Sequence, residues 1–358
     1  MQVKFFILSE LILYKNSHST VSVIPYSLSF KFPFKLASGT RSHTDLVILK
    51  IVSGKLTGYG EAALPPYLGA TVASTILFFE SLDWKSVLEM PLKEALELMD
   101  KSSVDSNAAK AAVDIALHDL KAQEENVKVS TLYGIRNEKK VITTYTIGIS
   151  NEKELKAKLK EGADFKIIKL KLGSDDDMEL IKSYRKHSQK PFCVDVNQGY
   201  KTRDKAAAMS EFLLKNGVLF IEQPMPAEHF EEMSWVRERV DVPFIADESV
   251  KRLKDLNQST EAFDGVNIKL MKSTGIAEAF EMITHSRKLN LKVVLGAMAE
   301  SSLGNTAAAH LASLADWVDL DGPMLTSNDP FEGMTYDDGS IVLPNRVGVG
   351  AIPKKVLY

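Results

Sequence analysis

The feature that most constrains the fold is a spacing. Across the second half of the chain, Lys171, Asp195, Glu222, Asp247, Lys269, Gly296 and Asp319 follow one another at intervals of 22 to 27 residues. Each stands near the end of a short run rich in β-formers: Ile167–Leu172, Phe192–Val196, Leu219–Ile221, Phe244–Ile245, Val266–Leu270, Val293–Leu295 and Trp317–Leu320, with Val141–Ile149 ahead of them. Between the runs lie helical patterns such as Glu152–Lys160, Met178–Lys186, Lys205–Lys215, Phe230–Val240 and Ile276–Leu289. A strand of about five residues, a helix of about twelve and two short loops fill such a period. Strand–helix alternation predicts a parallel sheet. Eight units close into a barrel of about 200 residues, so the chain reads as α/β with a (β/α)8-type barrel. A doubly wound sheet is disfavoured, because no G-x-G-x-x-G follows a strand and no Walker A sequence is present.

The first 125 residues have another texture. Two β-rich runs, Phe5–Tyr14 (with the strand taken from Val3) and Thr44–Val52, flank a stretch rich in Ser, Phe, Pro and Gly, and Pro33–Ser42 reads as a loop. Ser53-Gly54-Lys55 reads as a hairpin turn into Leu56–Tyr59. Residues 72–124 look helical, most clearly Ser106–Gln123, and His118 there reads as a packed histidine. With 45% hydrophobic and 25% charged residues, the 358-residue chain is expected to build a full-sized core. A net charge of −3 gives no footprint for nucleic acid or an anionic membrane. Cys193 is the single cysteine, which excludes an intrachain disulfide and fits a reducing compartment. No apolar run reaches the roughly 18 residues of a membrane span, and the expected location is cytoplasmic.

Active sites of such barrels sit at the C-terminal strand ends, and charges there are not what stability needs. Lys169 and Lys171 differ by two and point to one side of their strand. Asp195, Glu222 and Asp247 would form an arc across three neighbouring strands. Taken singly, each carboxylate could be a strand-end or helix cap; three on consecutive strands at near-equal spacing favour a common task. Without histidine or cysteine they make a hard oxygen site, suited to Mg²⁺, or Mn²⁺ in its stead, rather than Zn²⁺. Lys269 lies between Ile268 and Leu270, which implies burial. A buried lysine near a metal and a second lysine is expected to have a lowered pKa and to act as a base. Lysines on opposite walls suit removal of an α-proton from a carboxylate substrate and its return to the other face, with the metal neutralising the enolate. Asp319-Leu320-Asp321 would place two carboxylates on one face of strand eight, where they suit an ammonium or, more plainly, form a solvated strand end.

The motifs Lys169-Leu170-Lys171, Asp195-Val196-Asn197, Ile221-Glu222-Gln223-Pro224, Ala246-Asp247-Glu248-Ser249 and Asn267-Ile268-Lys269-Leu270 together resemble the enolase superfamily, muconate-lactonising subgroup, over essentially the whole chain. The resemblance implies a modified (β/α)7β barrel over 126–330. It also implies an α+β capping domain from 1–125, to which 331–358 returns. It implies one Mg²⁺ per subunit on Asp195, Glu222 and Asp247. Lys171 and Lys269 would be the acid/base pair, assisted by Lys169, with Asn197, Glu248 and Glu300 supporting the ligands. Within the subgroup the Asp-x-Asp at Asp319 and Asp321, and the stretch Ala315 to Pro323, are similar to the dipeptide epimerases of alanyl-glutamate type, where it holds the substrate's ammonium. Arg41, Thr146 and Met298 would be further substrate contacts, Arg41 through a side-chain carboxylate. Some members carry an arginine two residues earlier, where this chain has Gly39. The expected partners are a dipeptide substrate and further copies of the chain in a homo-oligomer.

Three other functions remain open at this level. Another reaction of the same subgroup (o-succinylbenzoate synthesis, N-acylamino-acid racemisation or cycloisomerisation) would leave Asp319 and Asp321 without an ammonium. A carboxylate-based metallohydrolase would need a water-activating centre, yet none of the seven histidines falls at a predicted strand end. A binding protein without catalysis would not need lysines on both walls.

Overall fold

In the computed structural model, which describes residues 10–36, 39–101, 106–136 and 139–357, the chain begins with an antiparallel sheet. Its strands β1 (Leu11–Lys15), β2 (Ser19–Leu36), β3 (Gly39–Ser53) and β4 (Leu56–Leu64) pair in sequential order. The turn expected at Ser53-Gly54-Lys55 is present, with Ser53 opposite Leu56. The first strand is seen from Leu11; its expected start at residues 3–9 lies outside the described residues. Of the stretch read as a loop, the described residues 33–36 and 39–42 belong instead to β2 and β3, where Phe34 pairs with Arg41 and Lys35 with Thr40. Alternating Phe and Ser side chains suit a strand, and Pro33 falls within the register shift between Ser29 and Phe34, where a ladder donor can be missing.

Helices α1 (Val72–Glu80), α2 (Trp84–Glu89), α3 (Leu92–Asp100) and α4 (Asn107–Glu124) follow. The Ser106 hydroxyl caps α4 by accepting from the Ala109 N–H at 3.4 Å. This helix lies so close to β4 that a Cβ on Gly60 would fall 1.8 Å from the Ala112 carbonyl oxygen. Its alanines, with Gly58 and Gly60 opposite, permit the approach, and Gln123 and Asp119 hold its far end to β4 through Thr57 and Tyr59.

After α5 (Val129–Leu132) and β5 (Val141–Ile142) come eight parallel strands. They are β6 (Thr144–Ile147), β7 (Ile167–Lys171), β8 (Phe192–Asp195), β9 (Val218–Glu222), β10 (Phe244–Ala246), β11 (Gly265–Lys269), β12 (Lys292–Gly296) and β13 (Trp317–Asp319). The intervening helices are α6 (Glu152–Glu161), α7 (Asp177–His187), α8 (Arg203–Lys215), α9 (Phe230–Arg237), the single turn α10 (Leu256–Ser259), α11 (Ile276–Lys288) and α12 (Ser302–Ala309). The sheet edges β6 and β13 meet through Thr143, whose hydroxyl donates to the Val318 carbonyl (3.3 Å) and accepts from the Leu320 N–H (2.9 Å). Among the described residues the one-turn α13 (Gly322–Leu325) is the only α-helix after the last barrel strand, as in a (β/α)7β barrel.

Inside the barrel, Cys193, Phe220, Ile245 and Val294 form a buried apolar layer with Ile167 and Trp317 against it. Each of these four lies two residues before a strand-end position, Asp195, Glu222, Asp247 or Gly296, so period-two alternation stacks the polar layer above the apolar one. The C-terminal strands β14 (Phe331–Glu332), β15 (Thr335–Asp337), β16 (Ser340–Val342) and β17 (Ile352–Pro353) return across both parts. β16 pairs with β5, and the Val349 N–H donates to Asp119 on α4 at 2.8 Å. No described helix is long and apolar enough to cross a membrane.

Candidate active site

Strand register assembles the site. Lys171 aligns with Asp195, and Asp195 with Glu222; on the other side Lys269 aligns with Gly296, and Gly296 with Asp319. Asp247 immediately follows β10. The chain leaves these strands through left-handed conformations at Asn197 (φ +46), Gln198 (φ +65) and Gln223 (φ +38), which non-glycine residues adopt only when held. Gln223 shows what does the holding: its amide oxygen accepts from the N–H groups of Asp247 (2.9 Å) and Ser249 (3.1 Å), and its amide nitrogen donates to Met225 O and Ser249 Oγ.

Asp195, Glu222 and Asp247 are buried, and one oxygen of each lies within 4.8 Å of the others. Asn197 donates its backbone N–H to Asp195 (3.0 Å) and its side-chain amide to Glu248 (3.4 Å); Asn267 donates to Glu222 Oε1 (2.8 Å). Burial and the charge of Asp195 push the Glu222 carboxyl up to about 8. Asp195 goes the other way: burial would raise it, but Lys171 and Lys169 hold it at about 2. Three converging carboxylates with no softer donor fit a hard divalent cation.

The lysines are drawn into the same network. Lys171 lies 2.5 Å from Asp195 Oδ2, and Lys269 lies 2.7 Å from Asp247 Oδ2 and 4.0 Å from Glu222. Lys169 touches Asp319 (2.6 Å), Glu222 (2.7 Å) and Asp195 (3.3 Å). The lowered Lys269 pKa is expected beside a bound cation; against the protein's own carboxylates the direction is the opposite. Burial pulls it down, but Asp247 and Glu222 outweigh burial and hold it well above the ordinary lysine range. The two carboxylates that raise it belong to the candidate cation site.

The two aspartates of strand eight also differ from expectation. β13 ends at Asp319, and Asp321 already stands at the start of α13, so they do not share a strand face. Nor are they free of structural partners. Asp319 accepts from Lys169, Thr144 Oγ1 (2.6 Å) and Thr146 Oγ1 (3.3 Å), whereas Asp321 accepts from the Thr146 N–H at 2.5 Å. Burial, and next the charge of Asp319, push the Asp321 carboxyl up to about 7.

A cavity of about 90 Å³ is lined by Arg41, Tyr67, Thr146, Lys171, Asn197, Lys269, Met298, Asp319 and Asp321, with Phe30, Phe34 and Leu325 at its edge. Clefts of about 680 and 810 Å³ open elsewhere, but no strand-end charge lines them. Arg41 reaches the cavity from the hairpin, its Nη1 buried without a hydrogen-bond partner and its guanidinium 5.9 Å from the Tyr67 ring centre. The Tyr67 hydroxyl donates to the Met298 sulfur at 2.7 Å. Glu300 lies behind this wall rather than on it. It accepts from the Met298 N–H (2.7 Å), and burial with the charge of Glu61 pushes it up to about 8.

Comparison with known proteins places this geometry. Residues 152–355 match the enolase C-terminal domain-like model, and residues 18–134 match the N-terminal domain model of mandelate racemase and muconate lactonizing enzyme. The chain belongs to the mandelate racemase/muconate lactonizing enzyme family of the enolase superfamily. Within that family it is 40% identical over 334 residues to the L-Ala-D/L-Glu epimerase of Bacteroides thetaiotaomicron, covering 93% of this chain and 87% of that protein. The structure of the dipeptide epimerase from Cytophaga hutchinsonii, complexed with Mg and D-Ala-L-Val, superposes with a TM-score of 0.88 at 27% identity, covering 96% of each chain. The substrate-liganded L-Ala-D/L-Glu epimerase from Bacillus subtilis gives 0.85 at 28% identity, covering 93% of this chain and 98% of that one.

In this family member the structure brings together all the strand-end residues expected from the sequence, and adds four that the sequence reading missed. Asn267 and Thr144 each lie two residues from a residue already singled out, so strand alternation alone could have found them. Tyr67 sits in a 3-10 turn after β4 and had no periodic signal. Lys272 falls in the turn beyond β11, where sequence spacing assigns no side.

Proposed function

We propose that the protein is a dipeptide epimerase, an isomerase that inverts the C-terminal residue of a dipeptide by Mg²⁺-dependent 1,1-proton transfer, with L-Ala-D/L-Glu as its substrate. The observation that carries this reading is the pair Lys171 and Lys269. Their strands, β7 and β11, lie four apart in an eight-stranded barrel, so the two amines face one cavity from opposite walls. One-sided base chemistry would need one of them; exchange of a proton between two faces of one carbon needs both.

Asp195, Glu222 and Asp247 would hold the cation, which supplies positive charge against the negative charge that develops on the substrate carboxylate as the α-proton leaves. Lys171 takes the α-proton of the L substrate and Lys269 that of the D substrate, each returning a proton in the reverse direction. Lys169 assists by its charge, and Asn197, Glu248 and Glu300 keep ligands and wall in place. Asp321 with Asp319 receives the substrate's ammonium, and the unpartnered Arg41 donor is suited to a side-chain carboxylate. An N-acylated or cyclic substrate would leave Asp321 buried without a cation. Relatives that act on alanyl-glutamate support the substrate. We assign the reaction to murein peptide turnover in the cytoplasm, in a homo-oligomer with one ion per subunit. In it 1–125 and 331–358 cap the barrel of 126–330.

The test is incubation with a dipeptide library in deuterium oxide, followed by mass spectrometry and chiral analysis. Ala-Glu should gain one deuterium and reach a mixture of epimers. Failure of every dipeptide to exchange would refute the reading.

A further inference from the structure

Lys272 is enclosed by protein, with 3% of its surface exposed. Its ammonium has four oxygen neighbours: Asp247 Oδ1 (2.6 Å), the Asp247 carbonyl (2.6 Å), the Asn267 carbonyl (2.8 Å) and the Val250 carbonyl (3.0 Å). An ammonium carries three N–H bonds, so every donor is already committed to the protein. Lys272 does not line the substrate cavity, unlike Lys269 three residues before it. It therefore cannot exchange a proton with a substrate, and a buried ammonium must be matched by charge to persist there.

The match is Asp247, whose two oxygens are divided between two lysines. Oδ2 faces Lys269 at 2.7 Å, and Oδ1 faces Lys272 at 2.6 Å. Lys269 has to leave its carboxylate whenever it works on a substrate; Lys272 never does. We propose that Lys272 is a positioning residue for the cation site. It anchors both the Oδ1 and the backbone carbonyl of Asp247, so that the carboxylate would keep its orientation for a cation while Lys269 comes and goes. The inference rests on the reading of Asp195, Glu222 and Asp247 as cation ligands, and goes beyond it by giving that site a support from the turn after β11.

Groups that orient a metal ligand from behind change metal affinity by about 10- to 100-fold when removed. The experiment is titration of the purified protein with Mn²⁺, reading free Mn²⁺ by electron paramagnetic resonance. Wild type, Lys272→Met and Lys272→Gln are compared, each checked for folding by circular dichroism. Lys272→Met should weaken Mn²⁺ binding about 10- to 100-fold. Its kcat should recover when the metal is raised to saturation, whereas Lys269→Met should stay inactive at any metal concentration. Lys272→Gln keeps two N–H donors without the charge and should fall between; it carries the test if the methionine variant does not fold. No Mn²⁺ binding by the wild type would overturn the ligand reading itself. Binding by the wild type with unchanged affinity in a folded Lys272 variant would overturn the role of Lys272 alone.

Discussion

Replacing Asp321 by asparagine removes one negative charge and leaves the shape of the site almost intact. The side chain is buried, with one oxygen on the Thr146 N–H, a bond that an asparagine oxygen can also accept. The carboxyl has been lifted from an ordinary 3.8 to about 7. At about 1.4 kcal/mol per pH unit, that lift corresponds to ~4 kcal/mol of cost in keeping the carboxylate ionised in its place. A substrate ammonium set against it offsets that cost, and the variant forgoes the gain. The expected loss thus falls within the 2–5 kcal/mol range of buried charge pairs, or roughly thirty-fold to a few thousand-fold in kcat/KM for Ala-Glu. Folding should change little. The pH dependence has a definite sign. Between about pH 4 and pH 7 the free folded enzyme keeps a proton on Asp321, and that proton must leave before an ammonium can be paired. The kcat/KM for a free dipeptide should therefore rise with pH toward about 7, and the Asp321→Asn protein should lack that limb. N-acetyl-Ala-Glu should be a poor substrate of the wild type with no such limb either. The assay is initial rate by chiral chromatography across pH 5 to about 9 for both substrates and both proteins. Equal kcat/KM for Ala-Glu and N-acetyl-Ala-Glu, or an unchanged acid limb in Asp321→Asn, would refute the reasoning.

Chelation with EDTA should abolish epimerisation and added Mg²⁺ or Mn²⁺ should restore it, while Asp247→Asn should need far more metal; full activity after exhaustive chelation would contradict the carboxylate site. Lys171→Ala and Lys269→Ala should each lose epimerisation, with solvent exchange of the α-proton of at most one epimer surviving in each; near-normal turnover by Lys269→Ala would remove the opposed-base geometry. His310 gives a stability test. It is buried with Nδ1 accepting from the Ser130 N–H (3.3 Å) and Nε2 donating to the Val349 carbonyl (3.0 Å), and burial holds its pKa near 4. As pH falls from about 6.5 to about 4, the unfolded chain takes up a proton that the folded chain refuses, so up to ~3 kcal/mol of stability is lost. Urea midpoints at neutral and acid pH should show that slope in the wild type and a shallower one in His310→Gln; the same slope in both would exclude His310 as its source.

The barrel was legible because its signals are local and repeated. Each strand is a short apolar run, and each marker residue lies one strand–helix unit from the next, so Lys171, Asp195 and Glu222 could be put on neighbouring strands before any contact was known. The β2–β3 hairpin was not legible, because Ser, Pro and Gly around Pro33 to Ser42 weigh toward a loop while the long pairing of Ser19–Ser29 with His43–Ser53 is a non-local fact. Asp321 shows the limit of period-two reading. The rule holds only while the strand lasts, and β13 ends at Asp319. The Lys269 pKa shows another limit. The apolar neighbours reveal burial, but the sign of the shift depends on Asp247 and Glu222, which reach it from two other strands.

The three lysines read from the strand ends are not equivalent, and the reason lies in how their charges are spent. Lys171 and Lys269 line the cavity, and each has one close carboxylate partner, Lys269 with Glu222 at the limit of reach. Lys169 does not line it and is held by Asp319, Glu222 and Asp195 at once. Stripping one partner from such a buried ion network costs about 3–5 kcal/mol, so Lys169 is the lysine least free to give or take a proton. Its value is electrostatic: a fixed positive charge between the cation ligands and strand eight. The same accounting separates the two aspartates. Asp319 is occupied by Lys169 and the Thr144 and Thr146 hydroxyls, while Asp321 has one backbone partner and a carboxyl that burial keeps near neutrality until an ammonium arrives. Of the two cavity-lining aspartates, Asp319 already has its lysine, which leaves Asp321 as the one better placed to respond to a cationic group entering the cavity.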